Sequence, residues 1–161
     1  MSADGKPSFD DTDVRILAEL QEDARVTMAE LGRRVALSAP AVADRVRRLE
    51  DAGVIEGYSA RINPRKLGYG MQAIITLAGH PDATGIDNRL AESLERMPEV
   101  RAVFFVTGPD GAFVRVAVRD TEHLQEVIDR LKSYGRTATW VILSTPIKER
   151  PLLPPGSSPG G

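Results

Sequence analysis

Hydrophobic positions follow two rhythms along this chain. In the first sixty residues they recur every three or four places: Val14, Leu17 and Leu20, then Leu31 and Val35, then Val42, Val46 and Leu49. This spacing predicts three short helices, each apolar on one side. All three start alike, with an apolar residue before a capping side chain and another four residues inside the helix: Phe9-Asp10…Val14, Val26-Thr27…Leu31 and Leu37-Ser38…Val42. Such pairs are hydrophobic staples, and each cap is worth about 1 kcal/mol. Glu30, three residues after Thr27, adds the partner of a capping box. The helices are expected over 11–22, over 28–35, and from Ser38 to Gly53. Pro40 falls in a first turn, where its missing N–H has no intrahelical acceptor to lose. The two later starts lie eleven residues apart, room for a short helix, a tight turn and a second helix. That is the helix-turn-helix arrangement.

Residues 54–62 hold β-formers around Gly57 and predict a two-stranded hairpin, a wing beside the third helix. Asn63-Pro64, Gly68 and Gly70 then loosen the chain. Beyond them the rhythm changes to strand, helix, strand, strand, helix, strand. Strands are expected at Met71–Ala78, 100–107, Ala112–Val118 and 137–145. Ile86, Leu90, Leu94 and Met97 form one helix face and Leu124, Ile128 and Leu131 the other, while Pro109-Asp110-Gly111 marks a turn. This order, with right-handed crossovers, predicts a ferredoxin-like antiparallel sheet with two helices on one face. The fold class is α+β: a winged helix-turn-helix domain over 9–63, a linker over 64–70, a ferredoxin-like domain over 71–149 and a flexible Pro/Gly-rich tail over 150–161.

A sheet with one wet face should alternate apolar and polar residues. Here Val103, Phe104, Phe105 and Val106 are consecutive, Val114, Val116 and Val118 oppose Phe113, and Trp140, Val141, Ile142 and Leu143 run together. Two helices cover one face only, so a second copy is the economical cover for the other. A homodimer would present two helix-turn-helix units to paired half-sites.

At 161 residues, 42% hydrophobic and 27% charged, the chain has a globular balance. It has no cysteine, which removes disulfides, thiolate metal sites and a cysteine nucleophile and suits a reducing, cytoplasmic setting. No signal-peptide core opens it, and no run approaches the roughly 20 apolar residues of a membrane span. A net charge of −2 argues against coating nucleic acid by bulk charge. Placement is more telling. Arg33, Arg34, Arg45, Arg47 and Arg48 cluster with Asp44 as the only acid among them, whereas Asp10, Asp11, Asp13, Glu19, Glu22 and Asp23 gather at the first helix. The third helix is therefore expected in the major groove of double-stranded DNA. It would present Ser38, Ala39, Pro40, Ala41 and Asp44, with Arg45, Arg47 and Arg48 reaching phosphates or base edges and Arg61 contributing from the wing. No catalytic set is legible: His80 and His123 stand alone and read as solvated surface, so neither an enzyme nor a cofactor is expected. The rival reading is a protein-interaction module that uses the acidic first helix.

Residues 10–68, with the run Val46-Arg47-Arg48-Leu49-Glu50, resemble the leucine-responsive and asparagine-synthesis regulator (Lrp/AsnC) family, and the second half resembles that family's effector-sensing domain. The resemblance implies a bacterial or archaeal transcription regulator, cytoplasmic and nucleoid-associated. It would pair through its sensing domains, assemble into octamers or open arrays, and respond to an amino acid or related molecule at a subunit interface. It also implies an effector site. The family's T-G-D-Y-D loop falls on Thr107, Gly108, Pro109, Asp110 and Gly111, with Pro109 and Gly111 standing where acids are typical. Its T-Y-V-V-like strand falls on Thr139, Trp140, Val141 and Ile142, with Trp140 in the tyrosine position. The implied effector residues are Thr107, Gly108, Asp110, Gly111, Thr139, Trp140 and Val141.

Overall fold

Three capped helices make the first unit of the computed structural model, which describes residues 8–79, 89–147 and 150–156. They are α1 (Asp11–Glu22), α2 (Met28–Val35) and α3 (Ala39–Asp51). Ile16, Leu31 and Val42 are fully buried, with Leu17, Leu20, Val26, Val35, Val46 and Leu49 around them. Phe9 and Leu37, the outer halves of two staples, pack on the rim of this core. All three caps form: Asp10 accepts from the Asp13 N–H at 2.8 Å, Thr27 from Glu30 at 3.2 Å and Ser38 from Ala41 at 3.4 Å. The reciprocal capping box, however, forms at α1 and not at α2. Asp13 accepts from the Asp10 N–H at 3.3 Å, while Glu30 turns its carboxylate to Arg33 and Arg34. Two nearby guanidinium groups outcompete one backbone N–H for that carboxylate.

The turn between α2 and α3 is tight. Leu37 donates to the Gly32 carbonyl at 2.8 Å, and a Cβ on Gly32 would stand 2.6 Å from the Leu37 oxygen, so only glycine fits. Ala36 takes the left-handed conformation that the turn needs, φ +59°.

Two expectations for this unit are corrected. Residues 54–62 form no strand pairing, so the wing hairpin is absent from this single chain. The N–H groups of Val54 and Ile55 instead donate to the Leu49 carbonyl at 2.9 and 3.1 Å, and both side chains pack on the helical core. The tail is not loose where it is described: Leu153 packs on the same core and Leu152 bonds to Gln21. The unit accordingly comprises both Met1–Arg61 and Ile147–Gly161.

The second unit spans Ile62–Pro146. A 3-10 turn over Pro64–Leu67 leads into β1 (Met71–Ala78), then α4 (Arg89–Glu95), β2 (Val100–Phe105), β3 (Ala112–Val118), α5 (Thr121–Leu131) and β4 (Arg136–Val141). The strands lie in the order β2-β3-β1-β4, every neighbouring pair antiparallel, the ferredoxin-like sheet the element order implies. Ile86 and His80 lie outside the described residues. β2 and β4 stop short of 107 and 145, because Val106 donates to Gly111 to close the β2–β3 loop and pairing along β1 ends near Ile142.

Register assigns the faces. Ala73, Ile75 and Leu77 pair with Val116, Val114 and Ala112, all buried beneath Leu90, Leu94, Leu124, Val127 and Leu131 of the helices. Val127, not Ile128, sits at the centre of the α5 face. On the opposite face Ile74 pairs with Trp140 and Phe104 with Phe113. Phe104 and Trp140 are each 53% exposed. This second apolar face matches the broken alternation in the sequence.

Candidate functional site

Helix α3 has two unlike sides. Val42, Val46 and Leu49 lie in the core, while Ser38, Pro40, Asp44, Arg47 and Arg48 are exposed and Ala39 and Ala41 are half-buried. The i, i+4, i+7 stripe of apolar residues fixes which side turns inward. Arg47 makes a loose ion pair with Asp44 at 3.5 Å, both side chains about 70% exposed, a geometry worth little in water. Arg48 makes no ion pair among the described residues.

The other arginines are engaged. Arg45 bonds to Asp10 at 2.6 Å and to Asp13 at 2.7 Å, with its side chain only 24% exposed. It braces α3 against the start of α1, at a residue from which the sequence alone predicts a DNA contact. The Asp13 backbone N–H, and after it Arg45, hold the Asp10 carboxyl below the usual range against the upward push of burial. The acids the sequence gathers at the first helix were the available signal for this brace. On α2, Arg34 bonds to Glu19 at 2.6 Å and Glu30 at 2.9 Å, Arg33 pairs with Glu30, and Arg15 donates to the Arg34 carbonyl. The guanidinium of Arg34, with Arg33 beside it, keeps Glu30 below its ordinary value.

Arg61 is exposed, on a stretch without strand pairing. Tyr58, in the same stretch, donates to Glu50 at the end of α3 at 2.8 Å. Partial burial and the Glu50 carboxylate push its phenol up to about 12.

The seven implied effector residues fall in two places. Thr107 and Gly108 are exposed and Asp110 and Gly111 half-buried in the β2–β3 loop, where Gly108 and Gly111 take φ of +125° and +68°. Ala112 donates to the Asp110 carbonyl at 2.7 Å, and Gly111 bridges to Leu77. Thr139, Trp140 and Val141 lie on β4, separated from β3 by β1. Alternation turns Trp140 to the open face, whereas Thr139 and Val141 share the face of Ile75 and Ala73. One chain alone does not gather all seven around one cavity.

His123 is corrected too. It lies in the first turn of α5, but it is not solvated surface: its side chain is 11% exposed and its Nε2 lies 3.0 Å from Glu99. Its Nδ1 accepts from the Arg119 N–H at 3.3 Å, which puts the ring proton on Nε2. Burial pushes the Glu99 carboxyl up, yet His123 and Arg130, the latter at 2.6 Å, outweigh it and the group sits below its ordinary value. One Glu99 oxygen, Oε2, is buried without a partner. A lone acid 24 residues from a lone histidine offers no sequence signal for this pair. Among the described residues no three potential ligand side chains gather to hold a metal, and no helix is long and apolar enough to cross a membrane.

Comparison with known proteins adds independent findings. Residues 9–56 match the model for winged helix-turn-helix DNA-binding and residues 72–152 the model for the Lrp/AsnC ligand binding domain. The HTH-type transcriptional regulator Rv2324 of Mycobacterium tuberculosis is 38% identical over 146 residues, covering 89% of this chain and 97% of that protein. LrpA of the same organism is 36% identical over 149 residues, covering 91% and 98%. Among solved structures, the Neisseria meningitidis transcriptional regulator NMB0573 in complex with L-Met superposes with TM-score 0.80 at 33% identity, covering 91% of this chain and 97% of that one. LrpC of Bacillus subtilis superposes with TM-score 0.81 at 28% identity, covering 89% and 100%.

Proposed function

We propose, for a chain that belongs to the Lrp/AsnC family of HTH-type transcriptional regulators, a specific division of labour among its residues. The DNA-binding domain is 9–63, the linker 64–70 and the sensing domain 71–149. Helix α3 lies in the major groove with Ser38, Ala39, Pro40, Ala41 and Asp44 toward base edges and Arg47 and Arg48 toward phosphates or guanine. Arg61 approaches the backbone. One observation carries this reading: of the arginines on α3, Arg45 is held by two close ion pairs toward α1, whereas the exposed Arg47 makes only a loose 3.5 Å pair with Asp44 and the exposed Arg48 none among the described residues.

Two copies pair through the open face of Ile74, Phe104, Phe113 and Trp140, and pairs assemble further into octamers or arrays. A small effector, an amino acid or a related molecule, binds at a seam between copies beside the 107–111 loop and Trp140. It shifts the half-site spacings that paired DNA-binding units can occupy. L-methionine is the first probe, because the Neisseria neighbour was solved with it. The protein works on DNA in the cytoplasm and carries out no catalysis.

Selection of duplexes from a random pool, followed by salt titration of the winner, tests the DNA reading. A selected sequence bound with a steep salt dependence supports it. Salt-insensitive binding, or no enrichment, rejects it. Trp140 is the only tryptophan, so a fluorescence titration with L-methionine and other amino acids, with and without that duplex, tests the seam.

A further inference from the structure

The end of the chain is unused by this function, yet it is the part most at odds with its composition. Gln21, on the outer side of α1, makes two hydrogen bonds to one residue: its Oε1 accepts from the Leu152 N–H at 2.8 Å and its Nε2 donates to the Leu152 carbonyl at 3.0 Å. Nε2 also donates to the Leu17 carbonyl at 3.0 Å, which holds the amide in place for the incoming strand. The next residue, Leu153, turns onto the core of the three helices. In the run Pro151-Leu152-Leu153-Pro154-Pro155 only the two leucines carry an N–H, and Gln21 satisfies that of Leu152. The prolines restrict the free chain beforehand, so docking costs little conformational entropy. A segment with few donors, one of them bonded, and one apolar anchor is built to lie against a surface.

We propose that residues 150–156 are a clasp. They dock on the DNA-binding unit of their own chain through Gln21 and Leu153, so that β4, which leads into them, holds this unit by a second covalent connection besides the linker.

The cysteine-free chain makes the test clean. Ala24 lines the same groove as Leu152, and the Leu152 side chain is 84% exposed, so Ala24→Cys with Leu152→Cys leaves both anchors intact. A short bismaleimide should join them within one chain. Adding Gln21→Ala and Leu153→Asp should abolish most of that product. In the otherwise unaltered protein the Leu152 amide should exchange at least about tenfold more slowly than an open one, and Gln21→Ala should remove the protection. Exchange at the open rate in the unaltered protein overturns the clasp, as does a cross-link yield indifferent to the two anchor changes. A product formed only between chains assigns the groove to a second copy's tail and overturns it equally.

Discussion

In the unit of α1, α2 and α3 several arginines are committed within the unit, Arg34 to Glu19 and Glu30 and Arg45 to Asp10 and Asp13, whereas the sheet unit leaves Ile74, Phe104, Phe113 and Trp140 on its open face. The first surface is charged but mostly neutralised within itself. The second is largely apolar, with Arg115 beside Ile74, and the helices of its own unit cover the other face. Counting charges would have credited the first unit with a broad basic patch. Partnering reduces that patch to Arg47 and Arg48. The same accounting applied to the sheet leaves the Ile74–Trp140 and Phe104–Phe113 pairs on the open face, with the exposed Arg115 beside Ile74. Surfaces are therefore read by what remains unpaired, a polyanion for the one and a like apolar face for the other.

The comparison breaks most visibly on the sheet. Trp140→Glu with Phe104→Glu should convert dimers to monomers in sedimentation, each change costing about 2 kcal/mol or more if its ring lies at the centre of the seam. Both side chains are half-exposed, so circular dichroism should show the fold retained. A folded variant of unchanged mass removes this face as the seam. Binding to paired half-sites should weaken together with the mass, and binding to a single half-site should weaken less.

On the helical unit the expected effects are smaller and of two kinds. Arg47→Ala and Arg48→Ala should each cost about 1 kcal/mol of duplex binding, about fivefold, and a lost phosphate contact should flatten the salt slope by about one. Arg45→Ala should instead lower the melting temperature, because it removes the shared partner of Asp10 and Asp13, and leave the salt slope nearly intact. If Arg45→Ala flattens the slope as Arg47→Ala does, the division between brace and contact is wrong.

Acid should act on both units in the same direction. Asp10 and Glu99 each sit below their ordinary values in the folded chain. A carboxyl depressed on folding contributes stability above its unfolded value and loses it as pH falls through the folded one. Stability should therefore decline below the ordinary carboxylate range. In Asp10→Asn the decline should be shallower for amides of α1, and in Glu99→Gln for amides of α5, as read by hydrogen exchange. An unchanged acid profile in both variants would show that neither group carries the dependence.

Much of this was legible in the sequence where the physics is local. Staples and caps depend on residues within five places of one another, and α1, α2 and the start of α3 lie where Asp10, Thr27 and Ser38 put them. Strand order followed from element order and handedness, and the unpartnered face from broken alternation. What the residues did not disclose depends on partners far along the chain. Arg45 meets Asp10 across 35 positions, His123 meets Glu99 across 24, and Leu152 meets Gln21 across 131. Residues 54–62 stay unpaired in the single chain for a related reason: a β-forming run needs a ladder, and here the first N–H groups of 54–62 go to the end of α3.

The smallest prediction sharpens the local half of that lesson. Ala36 ends α2 at φ +59°, ψ +42°, donating its N–H to the Gly32 carbonyl, and it is the only non-glycine residue at positive φ among those described. An alanine there sets its Cβ against the carbonyl, a strain that glycine lacks, while glycine loses more backbone freedom on folding. Ala36 is exposed, so little packing is forfeited by the change. Relief of strain should exceed the entropy loss, and Ala36→Gly should stabilise the helical unit by up to about 1 kcal/mol, raising its melting temperature with duplex affinity unchanged. Alanine-to-glycine changes elsewhere on exposed helix turns destabilise by a similar amount, so the sign alone is diagnostic. A lowered melting temperature would mean that the turn relaxes without strain, and the tight approach at Gly32 would then be set by α3 docking alone.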